Sequence, residues 1–128
     1  SIFRKWSLPY LRELEQFVRS FSVPTILFAR GSCLYWKELA QLKPQAISFD
    51  WHKSLIELRK QIPSTITVQG NFDPDLLYAS PNHIKTVVAK TLQGLTKKSL
   101  IVNLGHGLKP DMPLEHVQAF VEAVKCYG

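Results

Sequence analysis

The chain has 128 residues, 45% of them apolar and 20% charged, which excludes intrinsic disorder and fits one domain with a sizeable core. Sixteen Lys and Arg against ten Asp and Glu leave a net charge of +6. That balance admits an acidic ligand, but the basic residues are dispersed and the one tight loop pair, Lys97-Lys98, has no aromatic interleaving, so nucleic acid is not expected. The length is too short for a complete eight-unit α/β barrel, which takes at least about 200 residues, and no apolar run reaches the roughly 20 residues of a membrane-spanning helix.

The chain opens at Ser1 inside a helix approach, as a processed chain or a piece of a longer one would. Leu11, Leu14, Phe17, Val18 and Phe21 then follow a 3.6-residue period and predict an amphipathic helix. Residues 23–29 (VPTILFA) predict a first strand, with Pro24 tolerated at its start. Trp36, Leu39 and Ala40 predict a helix, residues 46–49 a second strand, and Leu55, Leu58 and Ile62 a helix. Residues 65–69 predict a third strand. Ser80-Pro81 reads as an N-cap with Pro at the first helical position, opening a helix over Ile84, Val87, Val88, Thr91 and Leu92. Residues 99–104 predict a fourth strand, and Pro113 opens a last helix over Val117, Phe120, Val121 and Val124.

The order is one helix, then four strand–helix units. Strands that are apolar on both faces and alternate with helices predict a parallel sheet covered on both sides. Cys33 and Cys126 are far apart, and no CxxC spacing occurs, which fits a reducing compartment without a disulfide.

In such folds chemistry gathers where the strands end. Those ends read Arg30-Gly31-Ser32, Asp50-Trp51, Gln69-Gly70-Asn71-Phe72-Asp73-Pro74 and Gly105-His106-Gly107. They predict a cleft ringed by Arg30, Asp50, Gln69, Asn71, Asp73 and His106. A histidine between glycines past an apolar strand suits close ligand approach, or simply a turn. Asp50 and Asp73 invite an acid–base pairing, but capping and loop-orienting roles fit them better, Asp73-Pro74 as a helix cap and Asp50 as an anchor of the loop before Lys53. Gln69 and Asn71 are expected to hold backbone at the cleft mouth, and Arg30 to be a solvated loop charge or to face an acidic ligand. His52, His83 and His116 are expected on helix surfaces. Trp36, Trp51 and Tyr78 are expected to pack.

Three motifs carry a resemblance: Ile47-Ser48-Phe49-Asp50-Trp51; Val68-Gln69-Gly70-Asn71-Phe72-Asp73-Pro74 followed by Leu77-Tyr78-Ala79; and Asn103-Leu104-Gly105-His106-Gly107-Leu108 with Pro110-Asp111 and Pro113. With Leu8-Pro9-Tyr10 ahead of them, they resemble, in order and along essentially the whole chain, the carboxyl-terminal half of the uroporphyrinogen decarboxylase family. The resemblance implies four parallel β-α units of a (β/α)8 barrel, with residues 1–128 forming one partial domain whose amino-terminal half is absent. It implies a homodimer that uses neither metal nor organic cofactor; the reducing compartment read from the cysteines leaves cytoplasm or plastid stroma open, and no membrane partner is expected. The reaction it implies is loss of CO2 from four acetate arms of the tetrapyrrole uroporphyrinogen, giving coproporphyrinogen. The pyrrole ring, protonated at carbon, is then the electron sink.

Of the family's substrate-contacting positions only the histidine of Asn-Leu-Gly-His-Gly falls in this chain, as His106, in contact with a substrate carboxylate or in proton transfer. Arg30, Asp50, Gln69, Asn71 and Asp73 are expected to support it. The family's Arg-rich segment, pyrrole-binding Asp, cleft Tyr and cleft Ser lie in the absent half, so the chain alone is expected to be inactive. The related zinc-dependent corrinoid and coenzyme M methyltransferases share Gly-Asn-x-Asp-Pro, but their His-x-Cys site is replaced here by Arg30-Gly31-Ser32, with Cys33 out of step. A non-catalytic half-barrel that needs a partner chain is the other alternative, because its first and last strands would be left unpaired beside an uncovered apolar face.

Overall fold

The computed structural model describes residues 1–95 and 98–127; Lys97 of the Lys97-Lys98 pair lies outside the described residues. Its helices are α1 (Ile2–Trp6), α2 (Leu8–Arg19), α3 (Trp36–Gln41), α4 (Leu55–Gln61), α5 (Pro81–Gln93) and α6 (Leu114–Tyr127), and its strands are β1 (Ile26–Phe28), β2 (Ala46–Ser48), β3 (Thr67–Phe72) and β4 (Leu100–Leu104). A 3-10 turn over Pro74–Tyr78 follows β3. The lead-in is thus two helices, broken at Ser7, rather than one. Ser80 caps α5 by accepting the His83 N–H, with Pro81 in the first turn, as its sequence signature predicts.

The four strands pair in parallel in the order β1-β2-β3-β4. Each strand lies beside the next one in sequence, with no reversal of direction across the sheet. That order is the one a closing barrel uses, not the switched order of a doubly wound sheet. Leu27, Ile47, Val68 and Leu100 share one level, and the first three are buried in a core with Leu39, Leu58, Ile84 and Val88 from the helices. The next level holds Phe28, Ser48, Gln69 and Ile101 on the opposite face.

That opposite face is open. Ile26 is 51% exposed and Phe28 47%. The expectation of a sheet covered on both sides is therefore corrected: the helices cover one face, and among the described residues no further strand pairs with the edges β1 and β4.

Two strands are displaced from their predicted bounds. β1 starts at Ile26, not Val23, since Pro24 has no N–H and the Thr25 N–H is taken by the Gln45 side chain (2.7 Å). β3 runs from Thr67 to Phe72 instead of 65–69. Upstream, Arg59 holds the carbonyls of Ile62, Pro63 and Ile66 at 2.6–2.7 Å, which keeps that segment as the end of the α4 connection. Downstream, β4 pairs with β3 as far as Phe72.

The amphipathic face of α2 is also placed differently from its expected core position. Leu14, Phe17 and Phe21 are exposed, together with Trp6 and Tyr10. What α2 buries is Glu15, whose carboxylate accepts from the Thr25 hydroxyl (2.9 Å). β1 is an edge strand, and among the described residues nothing covers the apolar stripe.

This asymmetry predicts opposite outcomes for one substitution at two helical leucines. Leu58→Ala should cost about 2–5 kcal/mol, whereas Leu14→Ala should stay within about 0.5 kcal/mol. Urea unfolding followed by circular dichroism measures both.

Candidate functional site

The four strand ends converge on residues 49–51. Asp50 is 2% exposed. Its Oδ2 accepts the Gly31 N–H at 2.7 Å, and its own N–H donates to Ser32 Oγ at 3.2 Å. The Cys33 thiol donates to the Asp50 carbonyl at 2.9 Å. His52 Nδ1 lies 3.3 Å from Asp50 Oδ1, an ion-pair approach without hydrogen-bond alignment. Burial opposes the Asp50 carboxylate but is outweighed by the adjacent Cys33 thiol, the Gly31 N–H and His52, so its pKa is lowered from the usual aspartate value. The Cys33 thiol is pushed up to about 12, first by burial and then by Asp50.

From β3, Asn71 Nδ2 donates to the carbonyls of Asp50 (2.7 Å) and Lys53 (2.6 Å). Gly70 sits at φ +119°, where a Cβ would lie 2.7 Å from the Phe49 carbonyl oxygen, so no larger residue fits. From β4, Gly105 presses against the same corner: a Cβ there would meet Trp51 Cε3 and Trp51 N at 2.8 Å. Next to Gly105, His106 is exposed and stands edge-on to the Trp51 indole, ring centroids 6.3 Å apart. His52 stacks on the same indole at 5.1 Å.

His106 borders a pocket of about 430 Å³ on the open face of the sheet, lined by Ile26, Phe28, Ser48, Gln69, Asn103, Leu104, Gly105 and Gly107. Gln69 Nε2 donates to Ser48 Oγ at 3.1 Å, so these two polar groups largely satisfy each other. Among the described residues, no Lys or Arg lines this pocket. A hollow of about 560 Å³ at the opposite strand ends carries Arg59, Lys60 and Lys98. Arg59 there is already committed to three carbonyls, and that end of such sheets serves stability.

The predicted ring of site residues is thus only partly assembled. Gln69 and His106 face one pocket. Gln69 meets a side chain, Ser48, and not the backbone it was expected to hold. Asn71 does hold backbone. Asp50 holds the loop after β1 through Gly31 and also approaches His52 in the loop before Lys53. Asp73 caps the 3-10 turn through the Asp75 N–H (2.9 Å), and Arg30 is exposed at the end of β1.

Three aromatic or histidine placements also differ. His52 lies in a turn against Trp51, not on a helix. His116 is half-buried, its Nδ1 2.8 Å from the Leu77 carbonyl, tying α6 to the 3-10 turn. Tyr78 is exposed and donates to Asp111 (2.8 Å), while Lys109 bridges to Asp75 (2.6 Å). Together these pin the segment after His106 to the 3-10 turn. Trp51 packs against the two imidazoles. Phe28, Ser48 and Asn103 were missed by sequence reasoning. The period-2 alternation of β1, β2 and β4 was the signal for them, once the pocket face was known.

A four-unit parallel sheet in sequential strand order, with a polar, glycine-lined site at its strand ends, has the arrangement of part of an α/β barrel. Residues 1–127 match the uroporphyrinogen decarboxylase (URO-D) family; the chain belongs to that family. A uroporphyrinogen decarboxylase from Xanthomonas euvesicatoria is 39% identical over 135 aligned positions, covering 98% of this chain and 38% of the relative. One from Ovis aries is 39% identical over 130 positions, covering 96% and 35%. The chain therefore spans less than two fifths of the length of these curated relatives.

Two outcomes follow from the corner at Asp50. Because the folded-state pKa of Asp50 lies below its unfolded value, its ionised form favours folding above about pH 4, and that contribution is lost as pH falls through the folded pKa. Asp50→Asn should therefore flatten the acid limb of a stability–pH profile measured by thermal melts. Cys33 is buried and its thiol held protonated, while Cys126 is exposed. A thiol reagent at pH 8 should label Cys126 in the folded chain and Cys33 only in urea; peptide mass mapping reads both.

Proposed function

We propose that this chain is the carboxyl-terminal portion of a uroporphyrinogen decarboxylase, a carboxy-lyase that removes CO2 from the four acetate arms of uroporphyrinogen to give coproporphyrinogen in haem biosynthesis. The observation that carries this reading is the meeting of the family's two motifs at one pocket. Gln69 of the Gln-Gly-Asn-x-Asp-Pro motif and His106 of Asn-Leu-Gly-His-Gly line the same 430 Å³ hollow.

The chemistry suits a site that supplies position more than reagents. Loss of CO2 leaves electrons that the protonated pyrrole accepts, so no organic cofactor or metal enters this reading. His106, exposed at the rim and held from behind by Trp51, contacts a substrate carboxylate or relays a proton to the new methyl group. Asp50, Asn71 and Asp73 act one layer back by fixing the loops, and Arg30 at the rim attracts the polyanionic substrate. The zinc-thiolate alternative is disfavoured by the donor set: the buried Cys33 thiol donates to the Asp50 carbonyl, and among the described residues no three His, Cys, Asp or Glu side chains gather as zinc requires.

Residues 1–128 make one partial domain in this reading. The chain needs the remaining strands to complete its cleft, and the exposed Ile26, Phe28 and Ile101 with the open edges β1 and β4 support that need. By itself the chain is inactive. The whole enzyme is a homodimer of the cytoplasm or plastid stroma, with no nucleic-acid or membrane partner. No helix among the described residues is long and apolar enough to cross a membrane.

The test is complementation. The chain is co-expressed with the amino-terminal portion of the Xanthomonas relative and assayed for coproporphyrinogen formation. The assembly should turn over, neither part alone should, and His106→Ala should lower kcat/KM by roughly 10- to 100-fold. Failure of the two parts to yield turnover would reject the reading.

A further inference from the structure

We propose that the pocket wall made by Ile26, Phe28, Ser48 and Gln69 receives the acetate carboxyl group that departs as CO2, and that its uncharged lining is what suits it to that step. The inference rests on the decarboxylase reading above. It is prompted by a mismatch. The chain carries a net charge of +6 and the proposed substrate is a polyanion, yet this pocket has neither Lys nor Arg among its described lining residues. Two apolar side chains, Ile26 and Phe28, stand half-exposed into it. Its central polar pair is turned inward, with Gln69 Nε2 bonded to Ser48 Oγ.

The reaction explains why such a wall is useful. The acetate starts as a carboxylate beside a ring protonated at carbon. The bond between its methylene and carboxyl carbons breaks, the bonding pair moves into the protonated ring, and CO2 leaves neutral. A proton from an acid or water then adds to the methylene carbon, and the ring carbon releases its own proton. The net change is R–CH2–COO⁻ + H⁺ → R–CH3 + CO2.

Charge is therefore lost from the carboxyl group on the way to the transition state. A Lys or Arg paired with that carboxylate would stabilise the starting state more than the transition state and slow the step. An apolar wall with neutral dipoles does the reverse, since it solvates the carboxylate poorly and CO2 well. The Ser48 hydroxyl and the Asn103 amide can still orient the carboxylate without a formal charge. The carboxylates that do not react take their cations elsewhere, at rim positions such as Arg30 and in the rest of the barrel.

The test adds the charge that the wall lacks. In the active co-expressed assembly, Phe28→Lys and Gln69→Lys should each lower kcat by roughly 10- to 100-fold while KM for uroporphyrinogen stays level or falls. Uroporphyrin, the oxidised substrate, serves as the binding probe, and both lysine variants should bind it at least as tightly as the parent. A lysine variant that keeps its kcat overturns the proposal. So does loss of uroporphyrin binding in both lysine variants, which would give the wall a merely structural role. Turnover that falls with His106→Ala but not with either lysine variant overturns this inference alone, whereas an inactive parent assembly removes the decarboxylase reading and this inference together.

Discussion

The buried carboxylate of Asp50 organises the site end of the molecule. A charged group this deep is tolerated only when its oxygens are engaged. The Gly31 N–H takes one oxygen at 2.7 Å and His52 approaches the other. That engagement draws the loop after β1 onto the end of β2. Asn71 then reaches from β3 to the carbonyls on either side of the Trp51-His52 turn. Gly105 from β4 closes on Trp51 from the far side, where any side chain would collide. Four strand ends are thus referred to three residues, and His106 inherits its place from them.

The electrostatics of the chain are uneven in a way its net charge conceals. Part of its basic character serves structure. Arg59 ties down the end of α4 through three carbonyls, Arg19 donates to Leu42 and Lys43 carbonyls, and Lys109 and Lys85 pair with Asp75 and Glu122. The pocket beside His106 is left with amides, a hydroxyl and apolar walls. A positive composition therefore says little about where an anion would sit, because arginine serves the backbone as readily as a ligand.

The open face and the open edges express the same incompleteness. A parallel sheet is stable when both faces are covered, and here the helices cover only one. The stripe of Leu14, Phe17 and Phe21 is exposed, as are Phe28 and Ile101 on the open face of the sheet. Among the described residues, nothing covers these apolar side chains.

Much of the architecture was legible in the residues. The strand–helix alternation, the Ser80-Pro81 cap and the Asp73 cap all act through contacts a few residues apart, so their spacing carries the information. The family motifs likewise brought His106 forward. What the sequence could not assign was the direction in which each polar side chain spends its hydrogen bonds. Asp50 turned to Gly31, 19 residues away, and Gln69 turned to Ser48, 21 residues away. Tyr78 found Asp111 across 33 positions and left the core for the rim. By itself the sequence determined the elements, their order and the candidate histidine, because period, caps and motifs are local. Only the tertiary structure decided which polar groups are consumed and which face the pocket, because parallel pairing sets side by side residues that are about 20 or more positions apart in the chain.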